Sequence, residues 1–142
     1  VRGSNKNDPL GQQMQAMASL LPDANAIDNV AAYLSSLKPL SLQENPQGDP
    51  LNGQELFANC AFCHGEQGQG NYATNAPKLT AQHSWYLKQQ LLNYQQGFRG
   101  SHPQDLYGNQ MQLMSKLLHD EQDIDDVIAY LISLDTEIKS NN

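Results

Sequence analysis

Apolar residues fall on one helical stripe near the end of the chain, where Ile124, Val127, Ile128, Leu131 and Leu134 recur at intervals of three and four. The acidic run ahead of them, Asp120 to Asp123, suits a helix N-terminus. A terminal helix is therefore predicted over this stretch. The same stripe occurs twice. Displacing the sequence by 97 positions sets residues 1–37 on residues 98–134 without a gap, and 20 of the 37 pairs are identical. The identities include Arg2/Arg99, Gly3/Gly100, Asp8/Asp105, Met14/Met111, Met17/Met114, Ile27/Ile124, Tyr33/Tyr130 and Leu37/Leu134. Chance does not produce such a match, so an internal duplication is expected. Helices near 8–20 and 23–37 follow for the first copy. Residues 52–97 stand ahead of the second copy and hold both cysteines, whereas nothing precedes the first. Residues 1–37 are thus expected to be the rear half of a domain whose front half lies upstream of Val1.

Between the copies, "KPLSLQENPQGDPL" (38–51) is rich in Pro and polar residues and reads as a linker, which leaves 52–142 as the complete domain. In that domain Asn52 is expected to cap a helix that turns Leu56 and Phe57 inward. A second helix is expected from Ser84 as cap, through Leu87, Leu91 and Tyr94, to a stop at Gly97. Residues 64–80, rich in Gly, Asn and Gln, read as a loop that needs a large group to order it. No segment alternates as a strand does over a convincing length, so the expected fold class is all-α.

Charge narrows the partners. A net charge of −7 and a pI near 4.8 set the long-range field against nucleic acid and anionic membrane surfaces. A protein with a basic surface is the better match. No run approaches the roughly 18 apolar residues of a membrane helix, and no secretory leader is visible.

The chemistry-bearing motif is Cys60-x-x-Cys63-His64. A structural zinc site normally needs a second ligand pair, which is missing. A redox dithiol is expected beside a βαβ pattern, also missing. A plain disulfide leaves His64 unexplained. Covalent haem attachment uses all three residues, because two cysteines at this spacing can each bond one vinyl group of a porphyrin while the next imidazole meets the iron. The opposite face then takes a histidine, a methionine or nothing. His83, His102 and His119 are isolated in polar surroundings and read as surface residues. Met111 and Met114, expected on a loop before the last helix, are better placed, and one of them is expected to bind iron while the other packs.

At this point the motifs "CAFCHG" (60–65), "APKL" (76–79), "YLKQQL" (86–91), "GFRG" (97–100), "MQLM" (111–114) and "HDEQDIDDVIAYL" (119–131) stand in an order that resembles class I c-type cytochromes. The resemblance is nearest to the di-haem subgroup called c-four, and extends to the paired cytochrome domains of some haem–copper oxidase second subunits. It implies a class I cytochrome c fold, with three to five helices around one covalently bound haem c, preceded by the helical rear half of a second such domain. Cys60 and Cys63 would be the thioether anchors and His64 the proximal ligand. Pro77 would accept a hydrogen bond from the His64 ring. Met111, about eight residues before the last helix's cap, would be the distal ligand in preference to Met114. Phe57 and Tyr130 would meet where the first and last helices cross. The implied function is one-electron transfer rather than catalysis, in a respiratory chain on the periplasmic side of a bacterial membrane. Partners would be redox proteins with a basic surface, a terminal oxidase among them, and residues 1–37 offer a route to dimerisation or domain exchange. The alternatives are a haem relay domain of a larger oxidase subunit, or a five-coordinate haem that reacts with a diatomic gas or peroxide. Met14 matches Met111, but its own CxxCH is not in the chain.

Overall fold

Asp8, Asp23, Asp49 and Asp105 each cap the helix that follows, and every regular element in the described part of the computed structural model is helical. The structure describes Gly3, residues 5–38 and residues 44–140, with side chains described through Leu134 in the last helix; part of the expected linker, 39–43, lies outside the described residues. The chain divides into two compact units, Val1–Leu40 and Ser41–Asn142.

The first unit holds α1 (Pro9–Ala18) and α2 (Ala24–Ser36). The second holds α3 (Pro50–His64), a short 3₁₀ turn (Tyr72–Thr74), α4 (Ser84–Gln95), α5 (Leu106–Ser115) and α6 (Glu121–Ser140). The duplication is visible bond by bond. Asp8 accepts from the Gly11 amide and Asp105 from the Gly108 amide, both at 2.9 Å. Asp23 caps Ala26 at 2.9 Å, and Asp120 caps Asp123 at 3.0 Å. Ser36 and Ser133 each donate at 2.7 Å to the carbonyls of Tyr33 and Tyr130. All these partners are 97 residues apart.

The two copies differ in what covers them. Ile124 is 1% exposed and Ile27 is 54% exposed. Val127 and Leu131 are likewise buried where Val30 and Leu34 are exposed. In the second unit the cover is α3. Its Gly53 lies so close to α6 that a β-carbon there would collide with the Asp126 carbonyl, and one helical turn on, the Phe57 ring meets Tyr130 at 5.5 Å between centroids. Phe57, Leu87, Leu118, Ile124, Val127, Ile128, Leu131 and Ile132 form the core, each large apolar side chain contributing about 1.5–3 kcal/mol on burial.

Two helix starts differ from the sequence expectation. α3 is capped by Asp49, not Asn52: the Asp49 carboxylate accepts from Leu51 N–H at 2.9 Å, and Pro50 fits the first helical position, where its missing N–H costs nothing. Asn52 instead donates its amide to Asp126 at 2.7 Å. At α4, Ser84 is the first helical residue and no local side chain caps it. Glu44, 40 residues earlier, does so from a distance, accepting from Ser84 N–H and His83 Nδ1, both at 2.7 Å. Local pattern cannot announce a cap of that kind.

Asp126 ties the ends of the second unit together. Its carboxylate accepts from the Asn52 amide, the Asp49 N–H and the Gln122 amide, each at 2.7 Å. The Asn52 bond above all holds the Asp126 carboxyl below its ordinary range; desolvation opposes this, and the other two donors add to it. A depressed pKa places this stabilisation above the unfolded-state value near 4 and removes it as pH falls through the lower folded value. Asp126→Ala should cost about 2–4 kcal/mol at neutral pH by leaving these donors unpaired, with the difference from wild type shrinking in acid. Chemical denaturation at neutral and acid pH checks this.

Candidate functional site

Cys60 and Cys63 sit three residues apart on the last turn of α3, so their thiols share one helix face, and His64 closes the helix. Both side chains are half-buried, and they do not form a disulfide with each other. Burial, with Cys63 close by as a lesser cause, pushes the Cys60 thiol up. His64 is 6% exposed, and its Nδ1 lies 2.8 Å from the Pro77 carbonyl oxygen. A carbonyl can only accept, so Nδ1 carries the proton and Nε2 keeps its lone pair for an external partner. Burial lowers the His64 pKa, with the Pro77 bond acting in the opposite sense, which favours the neutral, ligand-competent ring.

The loop that supplies Pro77 carries a set of internal hydrogen bonds. Gly70 N–H donates to the His64 carbonyl at 2.8 Å, and Leu79 N–H donates to the Gly68 carbonyl at 2.8 Å. Asn71 and Ala76 pair as an antiparallel bridge. Gly70 needs to be glycine here: its φ is +83°, and a β-carbon would stand 2.7 Å from the Lys78 nitrogen. Thr74 Oγ1 then donates to the Cys63 carbonyl at 3.1 Å, fixing the 3₁₀ turn against the end of α3. Sequence reasoning passed over Gly70 and Thr74. The available signal was the spacing of Gly65, Gly68 and Gly70 directly after His64.

Met111 and Met114 stand on a helix and not on a loop. Asp105 caps it and Leu106–Ser115 form α5, so the two thioethers are one turn apart and both half-buried. Hydrogen bonds are made at each of the three isolated histidines, at His119 through its backbone amide. His83 pairs with Glu44, His102 Nδ1 accepts from Gln104 N–H at 3.2 Å, and the His119 amide donates to Asp123 at 2.7 Å. Phe57 and Tyr130 meet at the α3–α6 crossing, three residues before Cys60 on the α3 side.

This donor set fits one group well and another poorly. Among the described residues, no three His, Cys, Asp or Glu side chains are arranged to hold a metal ion together. A protein-only zinc site is therefore not formed by Cys60, Cys63 and His64. A porphyrin supplies the equatorial nitrogens itself and asks the protein only for thiols at its edge and an axial imidazole, which is what the end of α3 offers. Among the described residues, no helix is long and apolar enough to cross a membrane.

Comparison with known proteins agrees with this geometry. The Cytochrome c family profile matches residues 51–135. The chain is 41% identical over 83 residues to the Cbb3-type cytochrome c oxidase subunit FixP of Azorhizobium caulinodans, a match covering 56% of this chain and 27% of that protein. It is 30% identical over 99 residues to cytochrome c4 of Azotobacter vinelandii, covering 63% and 47%. Cytochrome c-554(548) of Halomonas halodenitrificans is 37% identical over 86 residues, covering 61% and 96%. The chain thus spans about a quarter of FixP and under half of that cytochrome c4. No solved structure matches at a significant level. The family profile and these relatives place the chain in the cytochrome c family, in the class I group that includes the c4 type, with haem c as its covalently bound cofactor.

Proposed function

We propose that the chain is a one-electron carrier, or the electron-relaying part of a larger assembly, in which Cys60 and Cys63 anchor the haem while His64 and Met111 bind its iron. The observation that carries this reading is the orientation of His64: on the helix that bears both cysteines, its Nδ1 is committed to Pro77 and its Nε2 is left for the metal. Haem c supplies an iron that changes by one electron between ferric and ferrous forms. His64, fixed by Pro77, would hold the iron with little freedom to rearrange. Met111 is chosen over Met114 by the family resemblance, and a thioether there favours the ferrous state and raises the potential. With His64 and Met111 both bound to iron, no site would be open for substrate, which would favour a carrier over a gas- or peroxide-reacting haem.

The charge of −7 supports weak, salt-sensitive encounters with a basic redox partner, and the likeness to an oxidase subunit supports a respiratory setting on the periplasmic side. Residues 1–37 are read as the rear half of a second cytochrome domain, with Met14 in the place of Met111. Their apolar face on α2 is then covered by a front half, whether from the same polypeptide or from another copy. Amide exchange across 23–37 as fast as in an unfolded peptide would contradict that cover. The carrier reading itself is tested by titrating the reduced holoprotein with carbon monoxide. Resistance to binding is expected, and rapid stoichiometric binding would sink it.

A further inference from the structure

We propose that residues 44–49 form an acid-releasable strap, clasped to the start of α4 by Glu44 and let go when that carboxylate takes up a proton. The sequence reads 38–51 as linker, yet its second half is bound to the second unit along its length. Glu44 accepts from His83 Nδ1 and from Ser84 N–H, each at 2.7 Å. Asn45, Pro46 and Gln47 then line a cavity of about 280 Å³ with Trp85, Lys88 and Asp125. Gly48 lies so close to α6 that a β-carbon there would collide with the Asp125 carbonyl, and Asp49 N–H donates to Asp126 at 2.7 Å. The two ends differ in kind. At α6 the strap is wedged against backbone, whereas at α4 both bonds converge on one charge.

Backbone strain sits beside that charge. Ala81 has a φ of +59°, in the left-handed region that a β-carbon disfavours. On one flank Thr80 is buried and donates its N–H to the Gly68 carbonyl at 3.3 Å; on the other stand His83 and Ser84, held by Glu44. Strain of this kind persists only where its surroundings hold it, so freeing one flank gives the chain a second conformation to relax into.

The state of the strap follows pH. Burial pushes the Glu44 carboxyl up, but its bonds from Ser84 and His83 outweigh this and leave it below its ordinary value. The clasp is therefore complete above the free carboxyl's value of about 4.3 and is lost as pH falls through the lower clasped value. Neighbouring charges are committed elsewhere. Lys88 Nζ is paired with Asp125 at 2.8 Å and Glu121 at 3.4 Å, Asp49 caps α3, and Asp126 takes the Asn52 and Gln122 amides. His83 is the titratable donor that meets Glu44, and its ring lies along Trp85 at 6.0 Å between centroids. Release adds residues 44–47 to the connector ahead of the unit, up to about 14 Å of extended chain.

The clasp uses no residue of the haem site, so its fate leaves the electron-carrier reading untouched. Amide exchange in the reduced holoprotein, followed residue by residue by NMR from about pH 7 to about pH 3 and expressed as protection factors, decides it. Ser84 opens α4, so its N–H has no partner within the helix and reports the clasp directly. Its protection should fall about tenfold through the acid step, the loss expected for bonds to a charged group, while α3 keeps its own. Glu44→Gln, which cannot carry the charge, should show the released level at neutral pH and no step. Ala81→Gly relieves the strain and should keep the clasp to lower pH than wild type. A loss that Ser84 and α3 share at one pH is global unfolding and overturns the proposal. So does the absence of any step in wild type, an equal step in Glu44→Gln, or a step that Ala81→Gly moves to higher pH.

Discussion

Met111→Ala is expected to open the iron: the reduced variant should bind carbon monoxide stoichiometrically and its midpoint potential should fall by on the order of 0.2 V, a fraction of the roughly 0.8 V that axial ligands span. Met114→Ala should do neither. The two side chains share α5, one turn apart and both half-buried, so burial alone does not tell them apart. A ligand and a packing residue differ in what their loss does. Removing a packing methionine leaves a gap and costs about 2–5 kcal/mol of stability with the iron spectrum intact. Removing a ligand changes the iron first. If Met114→Ala opens the iron and Met111→Ala does not, the assignment is reversed while the fold and the carrier reading stand.

The second large effect concerns attachment. Cys60→Ala/Cys63→Ala should yield a polypeptide whose mass under denaturing conditions lacks haem altogether, and each single variant should keep haem through one remaining thioether. The fold should weaken as well. A covalently held group cannot leave the native state, but a dissociable one stabilises only in proportion to its free concentration and affinity. The double variant is therefore expected to lose cooperative unfolding at room temperature unless excess haem is supplied. Circular dichroism melts with and without added haem measure this. A double variant that keeps haem through denaturation would refute attachment at these cysteines.

Much of this was legible in the chain, for identifiable reasons. Helices α1, α2, α3, α4 and α6 were expected from local apolar spacing, and the repeat at 97 was readable because duplication preserves residue order. The cysteine–histidine spacing pointed to its chemistry for the same reason, since attachment depends on positions within one helical turn. What the chain hid was long-range. Glu44 capping α4 and Asp126 gathering Asp49 and Asn52 depend on elements 40 and 77 residues apart meeting in space. The α5 helix was read as a loop even though α1, its counterpart 97 residues earlier, was expected as a helix with Gly11 in the place of Gly108. In the structure that glycine is capped by Asp105 and buried, so it sits at a close approach rather than at a break. In 64–80 the bonds that place Pro77 join backbone groups and side chains such as Thr74 and Asn71, whose partners local pattern does not announce.

The most direct test of the central claim is the denaturing mass of the intact wild-type chain taken together with its ferric absorption spectrum. The account predicts the polypeptide plus one haem, with a methionine-to-iron charge-transfer band. A mass equal to the bare polypeptide, or one haem with no such band, would contradict it.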